Sequence, residues 1–143
     1  MSELAIRAVD LVKRYPEVSV TALAGVSLDV AKGEYVCLMG PSGSGKSSFL
    51  HLIGALDRPT SGEVWLNGRA LSKEPDLDSV RAKEVGFIFQ LHNLIPTLTS
   101  AENVEIPMIA LRVPPRDRRA RAEELLAAVS MGHRKDSIAT RLS

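Results

Sequence analysis

Apolar residues fall along this chain in two kinds of pattern. Two runs, Tyr35-Val36-Cys37-Leu38-Met39 and Val85-Gly86-Phe87-Ile88-Phe89, carry no charge and read as buried strands. Gly40 closes the first, and Gln90 stands at the exit of the second. Alternation marks other strands. Val26, Leu28 and Val30 are separated by Ser27 and Asp29, the pattern of a half-exposed strand, and Leu4 to Tyr15 alternates loosely enough for one or two strands. Glu63 to Leu66 predicts a further strand, turning at Asn67-Gly68 in a type I′ hairpin. Trp65 is expected to pack on that hairpin.

Helical spacing takes over elsewhere. Phe49, Leu52, Ile53 and Leu56 predict a helix directly after a glycine-rich stretch, with His51 packed on it. A short helix is expected from about Asp76. Thr99 and Glu102 have capping-box spacing, opening a helix that Pro107 is expected to bend or interrupt. Pro115 opens another, with Ala122, Leu125, Leu126 and Val129 as its apolar stripe and Gly132 as its C-terminal cap. Pro16 to Ser19, Lys32 to Glu34, Arg58 to Gly62 and Leu91 to Leu98 read as connections.

The chemistry concentrates between the first apolar run and the first helix. Gly40-Pro41-Ser42-Gly43-Ser44-Gly45-Lys46-Ser47 fits G-x-x-x-x-G-K-S/T at every fixed position, in the strand–loop–helix context that the motif needs. Gly43 and Gly45 let the backbone turn so that amide N–H groups from about Ser42 to Ser48 face one hollow. The helix N-terminus adds roughly half a positive charge there. Lys46 is then expected to reach the β- and γ-phosphates, the Ser47 hydroxyl to ligate Mg2+, and Ser48 to donate to the α-phosphate. The stretch reads as a nucleotide site.

Composition narrows the class without changing that picture. The 143 residues suit one modest domain, and 45% apolar with 24% charged residues is ordinary for a soluble globular protein. A net charge of +1 gives no general attraction to nucleic acid, and no run approaches the ~18 apolar residues of a membrane span. The first residues lack a signal peptide's apolar segment. Cys37 is the single cysteine and is expected to be buried; with no disulfide available, the cytosol is the expected location. His51, His92 and His133 have no metal-ligand spacing, and the Arg112, Arg116, Arg118, Arg119 and Arg121 cluster reads as a solvated helix surface.

These motifs, taken together, resemble the ATP-binding subunit of an ABC transporter. The likeness runs through Tyr15, Gly25-Val26-Ser27-Leu28, Gly33-Glu34, the glycine loop, Pro59-Thr60-Ser61-Gly62 and Val85 to Gln90. Phe87-Ile88-Phe89-Gln90, then Leu94, Pro96, Leu98, Thr99 and Glu102-Asn103-Val104, look most like the branch serving lipoprotein release, macrolide export and cell division. The resemblance implies an α/β P-loop NTPase (ABC ATPase) fold, incomplete, with an antiparallel β subdomain and the start of a helical subdomain. Residues 1–90 would form the nucleotide-binding core and β subdomain, and 91–143 the Q-loop and partial helical subdomain. It implies that Tyr15 stacks on adenine, and that Gln90 touches Mg2+ and the attacking water while sensing a membrane partner. ATP and Mg2+ are the implied ligands. The implied partners are transmembrane permease subunits and a second ATP-binding subunit in a homodimer, on the inner face of the plasma membrane.

The family signature begins Leu-Ser-Gly-Gly-Gln, and this sequence ends at Leu142-Ser143. No Walker B aspartate, water-polarising glutamate or switch histidine is identified. The expectation is an N-terminal portion that folds poorly alone, binds nucleotide weakly and does not turn over. Two alternatives stand beside it: a non-catalytic nucleotide-binding fragment, and a small P-loop metabolite kinase with the arginine cluster as lid.

Overall fold

A computed structural model of the chain describes residues 3–91 and 93–139, which divide between Val85 and Gly86 into two compact units. The division falls before Gly86, so Phe87 to Gln90 go with the second unit.

The first unit is built on a four-stranded antiparallel sheet, ordered β2-β1-β3-β4. The strands are β1 (Leu4–Tyr15), β2 (Val20–Ala31), β3 (Ser61–Leu66) and β4 (Arg69–Ala70). A single strand spans Leu4 to Tyr15, but it changes phase. Ala8 and Leu11 are both fully buried although three residues apart, which a regular strand of period two forbids. The register slips between Ala8 and Leu11 against β2, and between Val9 and Val12 against β3. Asp10 takes the left-handed conformation at this bulge, its N–H donating to Ser27 Oγ at 2.9 Å. The extra residue returns Leu11 to the core side.

Asn67 and Gly68 both have positive φ, 48° and 80°, and join Leu66 to its partner Arg69, as the expected I′ turn requires. Trp65 is half-buried on this hairpin, with the Arg7 guanidinium 5.9 Å from its ring centroid. Helix α1 (Lys46–Ile53) places Phe49 and Leu52 against Ala8, Leu11, Leu23 and Val64 of the sheet. The expected short helix is α2 (Leu77–Glu84); Asp76 Oδ1 caps it by accepting from the Ser79 N–H at 3.1 Å, and Val80 completes the core.

Four expectations fail here, three of them for one reason. Tyr35 to Met39 is extended but belongs to no strand, with Tyr35 95% and Met39 87% exposed. Cys37 is exposed with it. An apolar run becomes a buried strand only where a neighbour takes its backbone N–H and C=O groups, and among the described residues none does. Val85 to Phe89 is likewise outside any strand: Ile88 is fully exposed, and Phe87 and Phe89 stack on each other at 5.4 Å. His51 faces solvent rather than packing, because Phe49 and Leu52 already define the buried side of α1.

The second unit pairs α3 (Ser100–Ala110) with α4 (Pro115–Ala128) around Ala101, Ala122 and Leu126, flanked by Val104, Met108 and Met131. The capping box is complete. Thr99 Oγ1 accepts from the Glu102 N–H at 3.3 Å, and Glu102 Oε2 accepts from the Thr99 N–H at 2.7 Å. Those hydrogen bonds from Thr99 hold the Glu102 carboxyl below the usual range. Thr99→Ala is expected to cost about 1 kcal/mol in chemical denaturation. Pro107 does not interrupt α3. Leu125 and Val129 are exposed, so the stripe of α4 narrows to Ala122 and Leu126, and Ser130, not Gly132, adopts the left-handed conformation after it. Of the arginine cluster, Arg118 and Arg119 lie near Glu105, Arg119 also meets Glu123 and Asp136, and Arg121 meets Glu124. His92 lies outside the described residues.

Candidate nucleotide-binding site

The glycine loop and the tip of the β1–β2 hairpin enclose a hollow of about 380 Å³. One wall is Tyr15, Val18 and Val20; the other is the loop from Ser42 to Ser48. Tyr15 pairs with Val20 across the ladder, and a short 3₁₀ turn, Pro16–Val18, carries the chain between them. Of the residues singled out in the sequence, Tyr15, Ser42, Gly43, Ser44, Gly45, Lys46, Ser47 and Ser48 come together here. Gly40 contributes its carbonyl to Lys46 instead. Gln90 is exposed in the second unit.

Gly45 decides how closely the two walls approach. It has φ +87°, and a Cβ there would collide with the Ala22 carbonyl oxygen and lie 2.9 Å from Leu23 Cδ2. Glycine therefore lets the loop meet the backbone of β2 directly. Gly45 is also the N-cap of α1, and no side chain caps the helix. The N–H groups of its first turn lack partners within the helix by construction. Lys46, Ser47 and Ser48, which supply them, all line the hollow.

The electrostatics match an anion. The lining residues include no Asp or Glu, and Lys46 brings the one formal charge among them. Its ammonium donates to the Gly40 carbonyl at 2.8 Å, the Pro41 carbonyl at 2.7 Å and Ser44 Oγ at 3.2 Å. The charge is thus held over the loop by neutral acceptors, which a phosphate outcompetes. Free amides, an ammonium and hydroxyls form a donor set suited to a polyphosphate, and the Ser47 hydroxyl suits a hard divalent cation such as Mg2+.

Sequence reasoning did not find Val18, Val20, Thr21 and Ala22 as lining residues. Exposed valines in a turn carry no motif. Their proximity to Tyr15 follows from the antiparallel hairpin, which the alternation of β1 and β2 could have suggested. A second hollow of about 330 Å³, lined by Glu3, Leu4, Arg7, Trp65, Asn67 and Gly68, has neither a helix N-terminus nor a glycine loop.

A P-loop ahead of an uncapped helix, faced by an aromatic-bearing hairpin, defines a nucleotide-binding cassette. The chain belongs to the ABC transporter family, whose model matches residues 23–143. It is 52% identical over 130 residues to an uncharacterized ABC transporter ATP-binding protein of Thermotoga maritima, covering 88% of this chain and 56% of that protein. It is 40% identical to the lipoprotein-releasing system ATP-binding protein LolD of Saccharophagus degradans, over all of this chain and 64% of that one. Likeness to the macrolide export ATP-binding/permease protein MacB of Brucella abortus is 42%, over 96% of this chain and 22% of MacB. The chain thus spans about half the length of the first of these relatives, and less than two thirds of each. Among solved structures, it superposes on a dimeric, post-hydrolysis state of the ATP-binding cassette MJ0796 bound to ADP and Pi. The TM-score is 0.86 at 38% identity, over 96% of this chain and 63% of that one. The fold is that of the ABC ATPases, and the relatives named for lipoprotein release and macrolide export agree with the branch read from Phe87 to Val104.

Proposed function

We propose that this chain is the ATP-binding portion of an ABC transporter subunit, coupling ATP binding and hydrolysis to substrate movement through membrane permease subunits. The observation that carries the reading is the hollow where Lys46 and the uncapped first turn of α1 face Tyr15. The triphosphate lies along the amides of Ser42 to Ser48, and the Lys46 ammonium exchanges its loop carbonyls for the β- and γ-phosphate oxygens. Tyr15 stacks on the base, a contact worth roughly 1–3 kcal/mol where bases stack on aromatic rings. The Ser47 hydroxyl would hold Mg2+, which supplies charge neutralisation at the phosphates. Permease subunits and a second ATP-binding chain are the partners, with the protein on the cytoplasmic face of the membrane. Dimeric MJ0796 with ADP and Pi bound, and the joined ATP-binding and permease functions in the name of MacB, support that assignment. Among the described residues, no helix is long and apolar enough to cross a membrane.

Phosphoryl transfer to water needs a group that orients the nucleophile as well as charge on the phosphates. No carboxylate is among the residues lining the hollow, so that lining offers charge and donors to the phosphates but no carboxylate to orient water. Weak, saturable Mg-ATP binding with phosphate release at the protein-free rate is expected, measured by calorimetry and a coupled phosphate assay. Absence of saturable binding would contradict the nucleotide reading. Turnover by the isolated chain that requires a small-molecule acceptor would instead mark a kinase.

A further inference from the structure

We propose that Lys13 and Asp57 form a positioning pair that fixes the Tyr15 ring as a stacking platform at the hollow. The inference rests on the nucleotide-binding reading and adds two residues that no motif marks.

Lys13 and Tyr15 are two apart on β1, with the register against β2 shifting between Lys13 and Arg14, and their side chains meet on one side of the strand. The Lys13 ammonium lies 5.0 Å from the Tyr15 ring centroid, within cation–π range. The same ammonium is 2.7 Å from Asp57 Oδ2 and donates to the Arg58 carbonyl at 2.9 Å. The Lys13 side chain is 12% exposed and that of Asp57 36%, so the lysine is largely shielded while its carboxylate partner reaches solvent. The segment carrying Asp57 is itself tied to β1. Thr60 N–H donates to the Val12 carbonyl at 2.8 Å, and the Arg14 N–H donates to Thr60 Oγ1 at 3.0 Å. Lys13 is thereby anchored from below while it covers the ring.

The charges reinforce the geometry. Partial burial alone would raise the Asp57 carboxyl. Burial is the largest single influence, but the hydrogen bonds from Lys13, the Arg58 N–H and the Tyr15 hydroxyl, with the Lys13 charge, together outweigh it and hold the carboxyl below the usual range. Asp57 therefore stays ionised at neutral pH and keeps Lys13 in place. An aromatic face occupied by an ammonium is closed to a base, which leaves the ring's other face for stacking. Holding the ring before the ligand arrives removes an ordering cost from binding.

The test compares Mg-ATP with inorganic tripolyphosphate, a probe that has the phosphates and no base. Lys13→Met is expected to weaken Mg-ATP binding about 3- to 10-fold while tripolyphosphate affinity stays within about twofold. In a Tyr15→Ala background the same substitution is expected to add nothing, and Lys13→Arg is expected to restore the parental affinity. Asp57→Asn, which keeps the side-chain shape, is expected to repeat the selective loss. Equal losses for both probes, additive losses with Tyr15→Ala, or no loss in either variant would overturn the pair. Failure of the parent chain to bind either probe would reject the nucleotide site itself, and the pair with it.

Discussion

Lys46→Ala is expected to weaken Mg-ATP binding by about 30- to 150-fold, the equivalent of about 2–3 kcal/mol, with little change in folding stability. Lys46 makes different contacts in the free and bound states. In the free chain its ammonium bridges the carbonyls of Gly40 and Pro41, and both residues are exposed. Truncation leaves those carbonyls to water, so stability should move by no more than about 0.5 kcal/mol. With nucleotide bound, the same truncation removes a charge-assisted donor from phosphates that have no other formal cation among the residues lining the hollow. Calorimetric titration alongside urea denaturation separates the two effects. A parallel loss of stability would assign Lys46 to the fold instead.

Gly45→Ala should act the other way, on fold and site together. The substitution forces an alanine to φ +87° and drives its Cβ into the Ala22 carbonyl oxygen, with Leu23 Cδ2 at 2.9 Å. Backbone cannot rotate aside as a side chain can, and Leu23 is a buried core residue. The expected cost is about 2–4 kcal/mol, combining left-handed strain with overpacking. Gly43→Ala makes the matched control. Its φ is +80°, yet a Cβ there meets open space, so only the conformational cost of about 1 kcal/mol applies. Both variants are read by urea denaturation, and only Gly45→Ala should also separate the hairpin wall from the loop. Equal destabilisation by the two would mean that contact with β2 is unimportant.

Local signals made much of this legible. The glycine loop, the Asn67-Gly68 turn, the helix beginning near Asp76 and the Thr99–Glu102 box each depend on residues a few positions apart, and each appears where the sequence puts it. Features that depend on distant chain did not show. The phase change at Asp10 requires Gly62 beside it, since a Cβ on Gly62 would strike the Asp10 carbonyl. Lys13 and Asp57 meet through the packing of α1 on the sheet, which no spacing rule reports. Tyr35 to Met39 and Val85 to Phe89 misled for the same reason in reverse. Hydrophobicity signals that a segment can be buried, whereas burial itself needs a partner strand that the described residues do not supply.

A triphosphate in this hollow must touch the amides between Ser42 and Ser48, so their resonances are the direct test. In a titration of the isotopically labelled full chain with Mg-ATP, the largest saturable shifts are expected at Gly43, Gly45, Lys46, Ser47 and Ser48, with Tyr15 moving in step. Saturable shifts confined to the second hollow, at Arg7, Trp65 and Asn67, with those loop amides unmoved, would contradict that placement.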